Sequence, residues 1–201
     1  MTKIILASNN KNKLREFGQL VQGLDVELIS QAEAGCDFEV EETGTSFEEN
    51  AYLKAAAVTR ATGLVAVADD SGLVVDALNG EPGIYSARYG PGHAALDSDR
   101  YNYLLKRLGD APDRSARFVC CICCTLPEGG TITARGECEG EIMYAPRGEN
   151  GFGYDPIFRP AGQTRTNAEL SPAEKNAISH RGKALREFMM KFEEYINGIN
   201  K

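Results

Sequence analysis

The sequence predicts a single α/β domain, and three observations carry that expectation. Short β-like apolar runs alternate along the chain with runs whose apolar residues fall at helical spacing, so strands and helices are interleaved rather than segregated. The length, 201 residues, suits one domain or one domain with two lobes, at roughly 150 residues per domain. No linker, internal repeat or low-complexity stretch interrupts the pattern, so the expected domain covers residues 1–201.

The elements follow in order. Lys3 to Ser8 is β-like through Ile4, Ile5 and Leu6. A polar stretch, Asn9-Asn10-Lys11-Asn12-Lys13, comes next, and then Leu14, Phe17, Leu20, Val21 and Leu24 recur at the spacing of one helix face. The chain therefore opens as strand, polar loop and helix, which sets the backbone N–H groups of a helix start beside the loop. Val26 to Ser30 predicts a second strand. Ser46 with Glu49 fits a capping box, and the Ala-rich run behind it predicts a helix to Thr62. Leu64 to Ala68 and Leu73 to Leu78 read as two apolar strands separated by Asp69-Asp70-Ser71-Gly72.

Asn79 to Gly92 holds four Gly and two Pro and reads as a long ordered loop. Tyr101 to Leu108 predicts a short helix. Ala116 to Leu126 and Thr131 to Cys138 form a hairpin across Pro127-Glu128-Gly129-Gly130, with a further strand over Glu139 to Tyr144. Ser171-Pro172-Ala173-Glu174 is a helix start, with a capping Ser, Pro at the first position and Glu at the third. Leu185, Phe188, Met189, Phe192 and Ile196 give the closing helix its apolar stripe.

Composition narrows the function classes. Lys and Arg number 22 against 29 Asp and Glu, a formal net charge of −7. That argues against a general nucleic-acid binder, which needs a basic surface, but leaves room for a small anionic ligand in a local positive pocket. The apolar run Ile4-Ile5-Leu6-Ala7 is too short for a signal-peptide core or a membrane span. A cytoplasmic protein with no membrane partner is expected, its six Cys reduced. Cys120, Cys121, Cys123 and Cys124 contain two overlapping CxxC spacings. A strand throws 120, 122 and 124 to one face and 121 and 123 to the other, and no second Cys/His cluster completes a tetrahedral site. These thiols read as small hydrophobes in a core strand.

Three features could carry chemistry. The loop Ser8-Asn9-Asn10-Lys11-Asn12-Lys13 offers a hydroxyl, amides, two ammonium groups and a helix start, as a phosphate chain requires. It matches neither GxxxxGK[ST] nor GxGxxG. The bland alternative is a solvated helix start, although Lys there opposes the helix dipole unless an anion lies nearby. Asp69-Asp70-Ser71-Gly72, with Glu41 and Glu42 elsewhere, offers hard oxygen ligands of the kind Mg²⁺ takes. The alternative is a polar turn, but buried paired carboxylates need compensation.

The third feature pairs Gly151-Phe152-Gly153-Tyr154-Asp155-Pro156 with Lys175-Asn176-Ala177-Ile178-Ser179-His180-Arg181-Gly182. The first segment could stack and hydrogen-bond a base, and the second supplies cations and an imidazole. On one unbroken helix Lys175 and Arg181 stand about 240° apart and cannot share a face. If both touch one ligand, the helix must break between them, and Ser179 or Gly182 is where it could. His180 could equally be a surface residue.

Taken together, Ser8-x-Asn10-x-x-Lys13, Glu41-Glu42-Thr43-Gly44, Asp69-Asp70-Ser71-Gly72-Leu73, Pro82-Gly83-Ile84-Tyr85-Ser86-Ala87-Arg88-Tyr89, Phe152-Gly153-Tyr154-Asp155-Pro156 and Ser179-His180-Arg181-Gly182 occur in one order. That order resembles the inosine triphosphate pyrophosphatase family, which clears non-standard purine nucleoside triphosphates, and the resemblance runs from Lys3 to about Phe192. It implies an elongated α/β domain with a long mixed sheet flanked by helices, two lobes with an active-site cleft between them, and a homodimer. It also implies Mg²⁺-dependent release of pyrophosphate from ITP, dITP or XTP.

The resemblance further implies residue roles. Ser8, Asn10 and Lys13, with the loop through Asn9, Lys11 and Asn12, would hold the triphosphate. Glu41 and Asp70 would bind Mg²⁺, with Asp70 also the base toward the attacking water and Ser71 touching substrate beside them. Phe152 would stack on the purine, Gly153, Tyr154 and Asp155 would shape the sugar and base pocket, Lys175 would reach phosphate or base, and His180 and Arg181 would read the 6-oxo edge. Tyr154 stands where several members have Trp. The alternatives are a Maf-like pyrophosphatase acting on other nucleoside triphosphates and a nucleotide-binding module without catalysis. The Asn79–Gly92 segment is the expected dimer surface.

Overall fold

The computed structural model describes residues 2–21, 26–92 and 96–199. Strand β1 (Thr2–Leu6) runs parallel to β2 (Val26–Ser30) on one side and to β3 (Val65–Val75) on the other. Ile5 stands opposite Ile29 and Ala66 in these two ladders. Parallel neighbours demand crossovers, and α1 (Lys11–Leu20) and α2 (Phe47–Thr62) supply them. With α3 (Asp97–Leu108), β4 (Ser115–Thr125), β5 (Thr131–Ile142), β6 (Phe158–Pro160), α4 (Pro172–Ile178) and α5 (His180–Ile199), the described elements make a six-stranded sheet in the order β2-β1-β3-β4-β5-β6. The β5–β6 pair is antiparallel, so the sheet is mixed, as the resemblance implied.

The chain divides into two compact units. One comprises Met1–Asp70, Cys121–Arg135 and Ala184–Lys201, the other Ser71–Cys120 and Gly136–Lys183. In the first, Ile5, Ala7, Cys36, Ala55, Val58, Ala66 and Ala68 pack together. The Ala-rich face of α2 lets that helix lie close on the sheet. In the second, Leu73, Val75, Leu104, Phe118, Ile142, Ile157 and Phe158 form the core. Each fully buried side chain of this size contributes about 1.5–3 kcal/mol of transfer free energy.

Caps explain where the helices begin and end. Ser46 Oγ accepts from Glu49 N–H at the start of α2, while the Glu49 carboxylate takes the N–H and hydroxyl of Thr45. Gly63 closes α2 at φ 68°, donating its N–H to the Thr59 carbonyl. The capping box at Ser171 and Glu174 starts α4 as predicted. The expected stripe on α5 buries Leu185, Phe188, Met189 and Phe192. All four Cys of β4 are buried, on a strand covered on both faces from Phe118 to Thr125.

The structure corrects several expectations. Leu64–Ala68 and Leu73–Leu78 are not separate strands: β3 is continuous through Asp69-Asp70-Ser71-Gly72, and a short 3₁₀ turn takes Asp76–Leu78. The turn signal yields because both carboxylates find ammonium partners within the sheet's cover. Asn79–Gly92 is more regular than a loop, with a 3₁₀ stretch over Gly83–Arg88 and Ser86 Oγ accepting from Leu73 N–H. Helix α3 begins at Asp97, ahead of the predicted Tyr101, and Glu139–Tyr144 is no new strand, since β5 continues to Ile142. Leu24, the last residue of the α1 stripe, lies outside the described residues.

Candidate functional site

In the first unit the polar loop after β1 is held by its own side chains. Ser8 Oγ accepts from Asn10 N–H (3.1 Å) and Asn10 Oδ1 from Lys13 N–H (3.3 Å), while the Asn10 carbonyl accepts from Leu14. Asn10 is thus the cap of α1. Asn9 Oδ1 accepts from Ala32 N–H, and Lys11 and Asn12 are the first two residues of the helix. The anion demanded by a Lys in the first turn is present within the chain: Lys13 Nζ lies 2.6 Å from Asp69 Oδ1.

Asp69 and Asp70 are consecutive on β3, so their side chains leave opposite faces of the strand. Asp69 meets α1, and Asp70 meets α2. Asn50 Nδ2 donates to Asp70 Oδ2 (3.2 Å), and Lys54 Nζ reaches Asp70 Oδ1 (3.3 Å) and Glu42 Oε1 (2.7 Å). Asn50 and Lys54 are one helical turn apart and share a face. Asn50 Oδ1 also accepts the N–H of Gly44 (2.9 Å), tying the acidic loop to the same helix. A Cβ at Gly44 would press on the Asn50 side chain and on Glu49, which is why glycine stands there. Glu41 is exposed, and the carboxylate that reaches this cluster is Glu42.

Burial pushes the Asp70 carboxyl above its ordinary value, and Glu42 adds to that, against the pull of Lys54 and Asn50. Burial also works against the charge of Lys54, but Asp70 and Glu42 outweigh it and hold its ammonium above the usual lysine value.

The second unit holds the aromatic segment, with Ser71 half-buried on β3. Phe152 is 53% exposed, just ahead of the buried Tyr154 and Asp155. Its N–H donates to Asp155 Oδ2 (2.9 Å), and Gly153 N–H donates to Asp97 Oδ2 (2.5 Å). Two carboxylates therefore fix the backbone that carries the ring. Tyr154 turns inward: its hydroxyl donates to the Ser86 carbonyl (2.9 Å), and burial raises its pKa. Asp155 holds Lys175 as an ion pair (2.5 Å).

The helix break occurs at Ser179. That residue is extended (ψ 155°); its N–H ends α4 on the Lys175 carbonyl, and its Oγ and carbonyl accept from Gly182 and Lys183 to begin α5. Lys175 Nζ and the Arg181 guanidinium consequently reach one ring, at 4.9 and 5.9 Å from the Phe152 centroid. His180 is no surface residue: it is buried at the start of α5 and stacks on Phe118 (4.8 Å, 13°).

Asn50, Lys54, Asp97 and Asn167, whose amide donates to Asp155 Oδ1, escaped the sequence reading. The pair Asn50 and Lys54 left a faint signal, being one turn apart on a helix behind a predicted cap; the other two left none.

Residues 4–191 match the Ham1 family. The dITP/XTP pyrophosphatase of Gluconobacter oxydans is 48% identical over 188 residues, 94% of this chain and 89% of the relative. That of Bacillus cereus is 46% identical over 202 residues, 98% of each. Among solved structures, a HAM1 protein from Coxiella burnetii superposes with a TM-score of 0.92 at 45% identity, over 96% of this chain and 100% of that one. A nucleoside-triphosphatase / dITP/XTP pyrophosphatase from Mycobacterium abscessus gives 0.80 at 47% identity, over 92% and 96%. Sequence and fold agree over nearly the whole length, and the chain belongs to the Ham1 family.

Proposed function

We propose that the chain is a nucleoside-triphosphate pyrophosphatase that converts dITP, ITP and XTP to the monophosphate and pyrophosphate. The observation that carries this reading is the near-full-length kinship with relatives named dITP/XTP pyrophosphatase. The side-chain sets support it. Ser8, Asn10 and Lys13, with the backbone from Asn9 to Asn12, are the phosphate-holding group in this reading. Asp70 is the base that takes a proton from the attacking water. Lys54, which already balances Asp70 and Glu42, stands ready to meet charge that builds on phosphate.

The donor set fits a hard dication. Beside α2 the carboxylates of Asp70 and Glu42 face the single ammonium of Lys54, two acids to one cation, and one or two carboxylates completed by substrate phosphates are the oxygen ligands that suit Mg²⁺. Glu41 and Asp70 would hold the ion, which when bound would offset charge on the phosphate oxygens. On the base side, Phe152 offers its exposed ring for stacking. Lys175 and Arg181 stand over that ring as donors to a 6-oxo group, in this reading with His180, the chain neighbour of Arg181 that stacks on Phe118, and Ser71 lies on the strand that carries Asp70. A 6-amino base would face those donors without an acceptor, which makes ATP a poor substrate.

Product analysis tests this directly. With Mg²⁺, ITP and XTP should each give the monophosphate plus pyrophosphate, and ATP should turn over at least about a hundredfold more slowly. Release of IDP and phosphate would move the attack to the γ-phosphorus, and comparable turnover of ATP would remove the base-reading residues from the assignment.

A further inference from the structure

We propose that Asn167 is a positioning residue that acts through Asp155 to set both the Phe152 ring and the Lys175 ammonium. The inference rests on the base-side roles given above to Phe152 and Lys175. Asp155 is 2% exposed, and both of its oxygens are committed to protein donors. Oδ2 takes the Phe152 N–H and the Lys175 ammonium, and Oδ1 takes Asn167 Nδ2 (3.2 Å). Asn167 is as deeply buried, at 2%. Three donors on a carboxylate with about four acceptor sites tie both of its oxygens to the neighbours it orients.

The surroundings are built to keep that arrangement. At Gly151 (φ 77°) a Cβ would collide with Asp155 Oδ2, so only glycine admits the close approach of backbone to carboxylate. Asn167 opens a short 3₁₀ turn fixed by a reciprocal capping box, Thr166 with Glu169. Thr166 Oγ1 donates to the Arg147 carbonyl (2.9 Å), and Asn150 donates to the carbonyls of Ala168 and Leu170. The segment before Phe152 is thereby laced to the turn that carries Asn167. Loss of the Asn167 amide would leave Oδ1 buried without its donor and free the carboxylate to tilt, moving Phe152 and Lys175 together.

The chain contains no Trp, so Phe152→Trp places a single indole fluorophore at the exposed position. In that background Asn167→Ala should lower the indole anisotropy without nucleotide, and it should weaken quenching by ITP. In the native sequence Asn167→Ala should raise KM for ITP about tenfold with kcat within about twofold. Adding Asn167→Ala to Lys175→Met should raise KM by a smaller factor than it does in the native sequence, since only the Phe152 arm of the relay is then left to disturb. Asn167→Asp, which sets a second carboxylate against Asp155, should raise KM further. A circular-dichroism melt confirms that each variant is folded at the assay temperature. Unchanged indole anisotropy together with an unchanged KM in a folded Asn167→Ala protein would overturn the proposal, as would KM effects that multiply fully in the double variant. Failure of the functional reading looks different: the native protein would turn over neither ITP nor XTP, and a changed indole anisotropy would still uphold the relay.

Discussion

Lys54 is the residue on which the first unit's carboxylates depend. It sits between Asp70 and Glu42 with 16% of its side chain exposed, against 12% for Asp70 and 27% for Glu42. Replacing it by Met removes the cation and leaves like charges facing each other at low hydration. Breaking a buried pair costs about 3–5 kcal/mol, and the partial exposure here reduces that to about 2 kcal/mol. Lys54→Met should therefore lower the thermal midpoint in metal-free buffer, push the Asp70 carboxyl further upward and abolish most turnover. Lys54→Arg should recover the melting point more than the activity, because a planar fork does not replace a point charge between two acids. A Lys54→Met protein as stable as its parent would show that Asp70 and Glu42 need no cation. Asp69, Asp70 and Lys13 were legible from the chain because acids within an apolar run and a lysine at a helix start each ask for a partner. Lys54 was not, since a lysine on a helix ordinarily reads as solvated, and only the fold shows it turned toward β3.

At the scale of elements, α4 and α5 show how a cap controls where side chains point. The sequence marked the start of α4 and required a break before Arg181 if both cations serve one ligand. The break at Ser179 brings Lys175 and Arg181 to one ring. Helix α4 is only seven residues long, so its first turn matters more than propensity does. Glu174 closes that turn: Arg165 beside it, then the N–H and hydroxyl of Ser171, hold its carboxyl down to about 2. A depressed acid contributes stability that is complete above its unfolded value of about 4.3 and is lost as pH falls through about 2. The amides of α4 should accordingly keep their hydrogen-exchange protection to about pH 4 and lose it progressively below. In Glu174→Gln the α4 amides should exchange several-fold faster at about pH 6, with variant and parent converging near about pH 2. A parent whose α4 protection ignores pH over this window would take Glu174 out of the cap. By contrast, the turn expected at Asp69–Gly72 does not form because local turn chemistry loses to ion pairs from two helices, and those partners are distant in sequence.

For the whole molecule, the sequence told where most of the strands would lie, though not the three-residue β6, and it did not tell which would be neighbours. Pairing β3 with β4 rather than with β2 is a non-local choice that no local pattern encodes. The Cys-rich run is the exception, since an unbroken apolar strand reads as one covered on both faces, and β4 is such a strand in the middle of the order. A consequence can be measured on the intact protein. All six Cys are free thiols and all are buried. Burial pushes Cys123 up to about 11 and Cys124 higher still, and it raises Cys138 as well. At about pH 8 a thiol near 11 is about one part in a thousand thiolate, and the reagent must in addition wait for the strand to open. Opening a central strand draws on most of the global stability, about 5–15 kcal/mol for an ordinary domain. A disulfide-exchange reagent should therefore find essentially no fast thiol in the native protein at about pH 8 and all six in guanidinium, with the native reaction at least about a thousandfold slower. Rising denaturant should release the β4 thiols together and in step with loss of secondary structure. Fast reaction of one or two of the β4 thiols under native conditions would mean that this strand is reachable from solvent, and that its thiols do chemistry rather than packing.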